Sequence, residues 1–319
     1  MSIIDVFNGD ADGICALHQL RLASPCEAEL VTGVKRDIAL LQRVRAQEGD
    51  RVTVLDISFD KNRHDVLRLL GEGAHIRYFD HHFAGDVPED ALLEAHIDTS
   101  ADTCTSLLVI TSLQHAYLPW AVAAAFGDNL FDAARAAAVP LALSDTQLQQ
   151  LEQLGTLINY NGYGVTPDDL YFHPAELYRA IRPYKDPFAF IAESAAYRTL
   201  AEGYAADMEK ARQLAFMHET ETTAVLMLPD EAWTRRVSGV FGNALAREHP
   251  ARAHALITDL ADGRYRVSVR APLTSRQGAD ELCMRFPTGG GRKAAAGINA
   301  LPGEMLEQFV AAFQQQYAE

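Results

Sequence analysis

The chain has 319 residues, of which 48% are hydrophobic and 22% charged, and carries a formal net charge of −15. This is enough apolar material for a sizeable core, and the length points to two domains rather than one. The acidic balance excludes a protein whose whole surface tracks long nucleic acid, and the lack of any run of roughly 18 apolar residues excludes a membrane-spanning helix.

In chain order, the first 130 residues alternate strand-like and helical runs. "SIIDVF" opens as a strand with no basic run leading into an apolar core, so no signal peptide is expected. It is followed by the helix-like "GICALHQLRLA". Then "AELVTGV" precedes "DIALLQRVRAQ", and "RVTVLDI" precedes "KNRHDVLRLLGEG" and "AHIRYF". Such alternation predicts a parallel sheet with helices on its faces. Residues 103–215 read as mostly helical, with breaks at "INYNGYGVTP" and "IRPYKDP". The periodic stretch "AESAAYRTLAEGYAADMEKARQLAFM" reads as a connecting helix. Beyond it come "TTAVLML" as a strand, "SGVFGNALARE" as a helix, and "HALITDLADGRYRVSVRA", where Asp262-Gly263 signals a hairpin. The expected architecture is α/β: a parallel-sheet catalytic domain over 1–190, a helical connector over 191–220, and a smaller α/β substrate-binding domain over 221–319.

The charge is uneven. Residues 230–300 hold eleven Lys/Arg against seven Asp/Glu, so the remainder of the chain is nineteen charges negative. The C-terminal part suits a small anion, while the rest would repel a long polyanion. The four cysteines (Cys15, Cys26, Cys104, Cys283) are scattered without a CxxC pair, which argues against a zinc ribbon or a disulfide framework. A cytoplasmic enzyme is expected.

Three strand-like runs end in acidic or imidazole side chains. The first opens onto Asn8, Asp10 and Asp12, the run "RVTVL" ends at Asp56, and "AHIRYF" ends at Asp80-His81-His82. Asp128 ends the apolar run "WAVAAAFGD". Each has an ordinary reading alone: "NGDADG" fits half of an EF-hand loop, but Gln19 stands where the bidentate Glu is needed, and a lone Asp after a strand commonly caps a helix. Together they differ, because strand carboxyl ends share one edge of an open parallel sheet. Several carboxylates and imidazoles gathered there repel one another unless a cation neutralises them, which points to a dinuclear metal site.

At these residues the chain resembles the DHH phosphoesterases, named for the triplet seen here as Asp80-His81-His82. Asp10-Ala11-Asp12-Gly13 is similar to the family's first motif, Asp56 to its second and Asp128 to its fourth. "FPTGGGRKAAAGI", residues 286–298, is similar to the glycine-rich motif of the DHH-associated C-terminal domain. The resemblance spans nearly the whole chain and looks closest to the small two-domain members that degrade very short oligonucleotides. There are departures: Asn8 replaces a RecJ-like Asp, Val6 stands where nanoRNases place a His, and Arg292 replaces the His of a GGGH motif. Arginine is nonetheless a good bidentate phosphate partner.

The resemblance implies two divalent ions, with Asp10 and Asn8 on one, Asp12 and His81 on the other, and Asp56 and Asp128 shared. Mixed carboxylate and imidazole ligands suit Mn²⁺, with Mg²⁺ as a substitute, and such a pair activates water for in-line attack on phosphorus. Asp80 would orient His81 or His82, and His82 would touch the phosphate or the attacking water. Gly289, Gly290 and Gly291 let backbone N–H groups approach an anion, forming a phosphate cradle with Arg292. Ser268 and Arg270 on one side of "RVSVR", and Asn243 in "SGVFGN", extend it; a solvated sheet face is the alternative for the first two. Tyr160 or Tyr163 of "NYNGYG" is a candidate to stack a base, with a structural turn as the other reading. The expected activity is hydrolysis of dinucleotides such as pGpG and other nanoRNA to mononucleotides. The alternatives are a pAp-type 3′-phosphatase, a cyclic dinucleotide phosphodiesterase and a catalytically weak nucleotide sensor. Expected partners are short nucleotide substrates, not long nucleic acid or membrane; a homodimer is a permitted state.

Overall fold

The first strand-like run forms β1 (Ile3–Phe7), and helix α1 (Ala11–Ala23) follows at once. In this computed structural model, which describes residues 1–260 and 262–318, the sheet continues with β2 (Glu29–Thr32), β3 (Arg51–Leu55), β4 (His75–Asp80) and β5 (Leu93–Ile97), with α2 (Phe59–Gly71) between β3 and β4. All five strands are parallel, in the order β2-β1-β3-β4-β5. The strand order reverses between β1 and β3, which is where a crevice opens at the carboxyl edge of such a sheet.

Within the first 130 residues two elements differ from the sequence reading. "DIALLQRVRAQ" is not a helix but a single 3₁₀ turn, Leu40–Arg43. Its apolar residues Leu40, Leu41 and Val44 are buried, and the carbonyls of Leu41 and Val44 accept from Arg68 Nη2 at 3.1 and 3.2 Å, so a side chain satisfies groups that a helix would have satisfied internally. β5, the run "LEAHI", has no counterpart in the sequence reading; it is an edge strand none of whose residues is fully buried.

Period-two alternation divides the sheet side chains. Val6, Val54 and Tyr78 join Val66 and Leu69 of α2 in one core cluster. Phe7, Leu55 and Phe79, one residue on, are buried and point the other way. On that side α1 packs with α3 (Thr105–Ser112), α4 (Leu118–Gly127) and, after α5 (Phe131–Ala138), α6 (Asp145–Gly162). A Cβ on Gly155 of α6 would lie 1.9 Å from the Ala123 carbonyl oxygen of α4, so only glycine permits this approach. The close packing brings Asp128, just past α4, and Asn159 of α6 to the sheet edge. Helices α7 (Pro174–Ile181), α8 (Pro187–Glu193) and α9 (Ala195–Arg212) follow. No helix among the described residues is long and apolar enough to cross a membrane.

The chain divides into two compact units, Met1–Glu202 and Gly203–Glu319, with the division inside α9. The second contains β6 (Phe216–Glu219), β7 (Thr223–Leu228), α10 (Ala232–Glu248), β8 (Ala253–Asp259), β9 (Arg264–Arg270), α11 (Ala279–Cys283), β10 (Gly289–Arg292), β11 (Ala295–Pro302) and α12 (Leu306–Gln316). Its sheet order is β10-β11-β9-β8-β7-β6. β7 and β8 are parallel, joined through α10; the other neighbours are antiparallel. The expected β8–β9 hairpin is present, with Gly263 at φ +78° and Asp262 accepting from the Arg264 N–H. The "AFM" end of the anticipated connecting helix instead enters strand β6.

Candidate metal centre

The loops after β1, β3 and β4 build the centre. Asp10 caps α1: its Oδ1 accepts from the N–H groups of Asp12 and Gly13, both at 3.1 Å. A Cβ on Gly13 would lie 2.3 Å from the Asn8 carbonyl oxygen, so the tight entry into α1 requires glycine there. Asp12 is fully buried and is gripped by the start of α3, accepting from Ser106 N at 2.7 Å and Thr105 N at 2.6 Å. Asp56 directly follows β3 at φ +58°, a left-handed conformation that Asp and Asn tolerate better than most residues. Its N–H donates to the Phe79 carbonyl at 3.0 Å, and its Oδ1 accepts from Thr105 Oγ1 at 3.3 Å.

The two imidazoles are held differently. His81 Nδ1 lies 3.1 Å from the Thr103 carbonyl, an acceptor only, so this nitrogen donates and Nε2 is turned toward the acidic side chains. That Nε2 lies 3.4 Å from Asp56 Oδ1 and 3.5 Å from Asp128 Oδ2. His82 Nδ1 is 2.7 Å from Asp80 Oδ1, and the other Asp80 oxygen accepts from Phe59 N at 3.1 Å. Asp80 thus orients His82, while a backbone carbonyl orients His81. Burial opposes the charged form of His82, but the bond to Asp80 and its charge outweigh this and raise the pKa.

Lys35, three residues beyond β2, completes the arrangement. Its ammonium forms an ion pair with Asp10 and lies 3.1 Å from both Asp128 Oδ1 and Asn159 Oδ1. Burial drives the carboxyls of Asp12 and Asp56 up, reinforced for Asp12 by Asp128 and for Asp56 by Asp10, Asp12 and Asp128. Asp10 goes down instead, because the Lys35 charge and hydrogen bond outweigh its burial. Sequence reasoning missed Lys35, Asn159 and the Thr105–Ser106 backbone donors. The signal available for Lys35 was its place just after a strand of the same parallel sheet.

These residues fit a divalent cation. One ligand atom each from Asp12, His81 and Asp128 lies within 4.8 Å of the others, and the same holds for Asp56, His81 and His82. Asn8 is buried with its Oδ1 lacking a hydrogen-bond partner, while its Nδ2 donates to the Lys35 carbonyl at 3.2 Å. A buried carbonyl oxygen left in this way is an available ligand. All the anticipated metal residues, with Asp80 and His82, therefore lie at one sheet edge.

In the second unit Asn243, Ser268 and Arg270 are also brought together. Arg270 Nε donates to Asn243 Oδ1 at 2.7 Å, and Nη1 donates to Ser268 Oγ at 3.0 Å. The glycine run is an edge strand rather than an open loop, with Gly289, Gly290 and Gly291 opposite Ile298, Gly297 and Ala296. A Cβ on Gly289 would lie 1.8 Å from the Cys283 carbonyl oxygen and one on Gly291 2.5 Å from Ala296 Cα, so packing alone explains these two. Gly290 faces open space, and Arg292 is exposed. Tyr160 is fully buried and unable to stack on a base; Tyr163 accepts from Asn159 Nδ2 at 3.2 Å.

Known structures share this fold. Manganese-bound RecJ exonuclease matches at 17% identity with a TM-score of 0.57, over 100% of this chain and 90% of that one. The pGpG-specific phosphodiesterase PggH of Vibrio cholerae matches at 13% identity with a TM-score of 0.59, over 99% and 98%. RecJ of Thermus thermophilus, in complex with Mn²⁺, matches at 18% identity with a TM-score of 0.57, over 99% of this chain and 52% of that one. No protein-family profile and no curated protein sequence matches the chain. The chain has an α/β fold shared with these DHH-family proteins, as the motifs in its sequence led one to expect.

Proposed function

We propose that the chain is a cytoplasmic, Mn²⁺-dependent phosphodiesterase that hydrolyses short linear oligonucleotides, pGpG among them, to mononucleotides. The observation that carries this reading is the convergence of Asp12, Asp56, Asp128 and the Nε2 atom of His81 at the sheet's switch point. A divalent ion held there supplies Lewis-acid polarisation of a phosphoryl oxygen and activation of water. The chain's own residues do the rest. Thr105 and Ser106 fix the direction of Asp12, and Thr103 fixes the tautomer of His81. His82, oriented by Asp80, whose hydrogen bond and charge favour the protonated imidazole, is placed to donate to a phosphate oxygen or the leaving group. In this reading residues 1–190 are catalytic and 221–319 bind substrate, with Arg270, Ser268, Asn243, Arg292 and the backbone at Gly290 as its phosphate contacts. The fold shared with PggH and the acidic charge outside residues 230–300 both favour a short substrate.

The test is a substrate panel of pGpG, pAp, a cyclic dinucleotide and single strands up to about twenty nucleotides. Protein would be stripped with chelator and reloaded with Mn²⁺, Mg²⁺ or Ca²⁺. Turnover is expected to return with Mn²⁺ and poorly with Ca²⁺, which prefers more oxygen ligands at longer distance. Specificity should fall steeply between two nucleotides and about five, because added phosphates gain little counterion release over an acidic surface. Full activity after chelation would refute the metal reading. Equal rates on a dinucleotide and a twenty-mer would refute the short-substrate reading.

A further inference from the structure

A second cation in this centre would need Asp10, and both Asp10 oxygens are already engaged. One accepts the α1 capping bonds and the other pairs with Lys35. The lysine is not a surface side chain that has folded inward by chance. Its ammonium has three N–H donors, and three oxygens receive them: Asp10 Oδ2, Asp128 Oδ1 and Asn159 Oδ1. Its backbone is anchored on both sides, with the N–H donating to the Gly162 carbonyl at 2.9 Å and the carbonyl accepting from Asn8 Nδ2. Asn159 is aimed in turn, since its amide nitrogen donates to Tyr163 Oη and leaves the carbonyl oxygen for Lys35. Asp128 spans the two halves of the centre, with Oδ1 on the lysine and Oδ2 facing His81.

We propose that Lys35 stands in for one of two metal ions: the centre binds a single divalent ion among Asp12, Asp56, His81 and Asp128, and the Lys35 ammonium fills the Asp10, Asp128 and Asn159 side. The proposal rests on the metal-dependent reading above. An ammonium there neutralises carboxylates and attracts a phosphate oxygen, but it offers no empty orbital to a ligand. Asp10 becomes a charge partner rather than a metal ligand.

The experiment is Mn²⁺ stoichiometry by equilibrium dialysis with metal analysis, together with the electron paramagnetic resonance spectrum of the loaded protein. Wild type should bind one Mn²⁺ per chain and give the spectrum of an isolated ion. Lys35→Met keeps the length and removes the charge; it should bind two and show a spin-coupled pair. Lys35→Arg, which keeps the charge, should remain at one. Two ions in wild type, or one in a folded Lys35→Met, would overturn the lysine proposal while leaving metal dependence intact. No bound ion in any form would overturn the metal reading itself. If Lys35→Met does not fold, the wild-type stoichiometry and spectrum still decide the matter.

Discussion

Replacing Asp56 with asparagine should stabilise the metal-free protein while destroying its ability to hold a metal. Asparagine accepts the φ of +58° at this position and keeps an oxygen for the Thr105 hydroxyl. What it removes is a buried charge whose pKa is raised by burial and by Asp10, Asp12 and Asp128. The sign follows from proton linkage. A carboxyl raised in the folded state binds a proton there that the unfolded chain has already released. Its contribution is therefore favourable below the ordinary carboxylate range and is lost as pH rises toward the raised value. Asparagine has no such dependence. Within that window the variant should gain about 1.4 kcal/mol on wild type for each pH unit, the slope set by one bound proton. For a chain of 319 residues each pH unit then corresponds to a Tm difference of about 2 °C. The assay is thermal denaturation of chelator-treated protein from about pH 4 upward, repeated with Mn²⁺. At a hundredfold excess over Kd the ion should stabilise wild type by about 2.7 kcal/mol and the variant far less. A gap that does not widen with pH, or equal stabilisation of both proteins by Mn²⁺, would refute the reasoning.

Asp80→Asn should lower kcat by about 10–100-fold, the usual cost of losing a group that orients a reacting imidazole or ligand, with the bound Mn²⁺ count unchanged. It should also move the His82 titration to lower pH, since Asp80 is what raises it; a nuclear magnetic resonance titration that stays in place would remove Asp80 from this role. In the second unit, Arg270→Ala and Arg292→Ala should each raise KM about ten- to a hundredfold with metal content unaltered, because a charge-assisted phosphate contact is worth about 1.5–3 kcal/mol. A rise of less than about threefold would exclude that arginine from the substrate site.

The acidic cluster was legible in the sequence because parallel topology converts a linear fact into a spatial one. Asp10 with Asp12, Asp56 and His81 come from three separate stretches of the chain, but strands that run the same way release their loops on one edge; Asp128, which follows α4 and not a strand, was marked by its place at the end of an apolar run and by the motif resemblance. The same rule should have drawn attention to "VTGVK", since β2 ends beside β1. It did not, because a single lysine after a strand looks like any solvated charge, and strand order has no signature in one sequence. Asn159 was hidden for a different reason: it belongs to α6, whose approach depends on the fit of Gly155 against Ala123, a long-range packing fact. Metal ligands betray themselves by chemical type, which is why the carboxylates and imidazoles could be named. Their counter-charges do not, because lysine and asparagine are common everywhere and only three-dimensional placement distinguishes them. The same asymmetry holds in the glycine run, where packing against Cys283 and Ala296 demands two of the three glycines before any ligand is considered. A motif therefore identifies the chemistry a centre can perform more reliably than it identifies the cations already built into it, and in this chain the difference between one metal ion and two turns on Lys35.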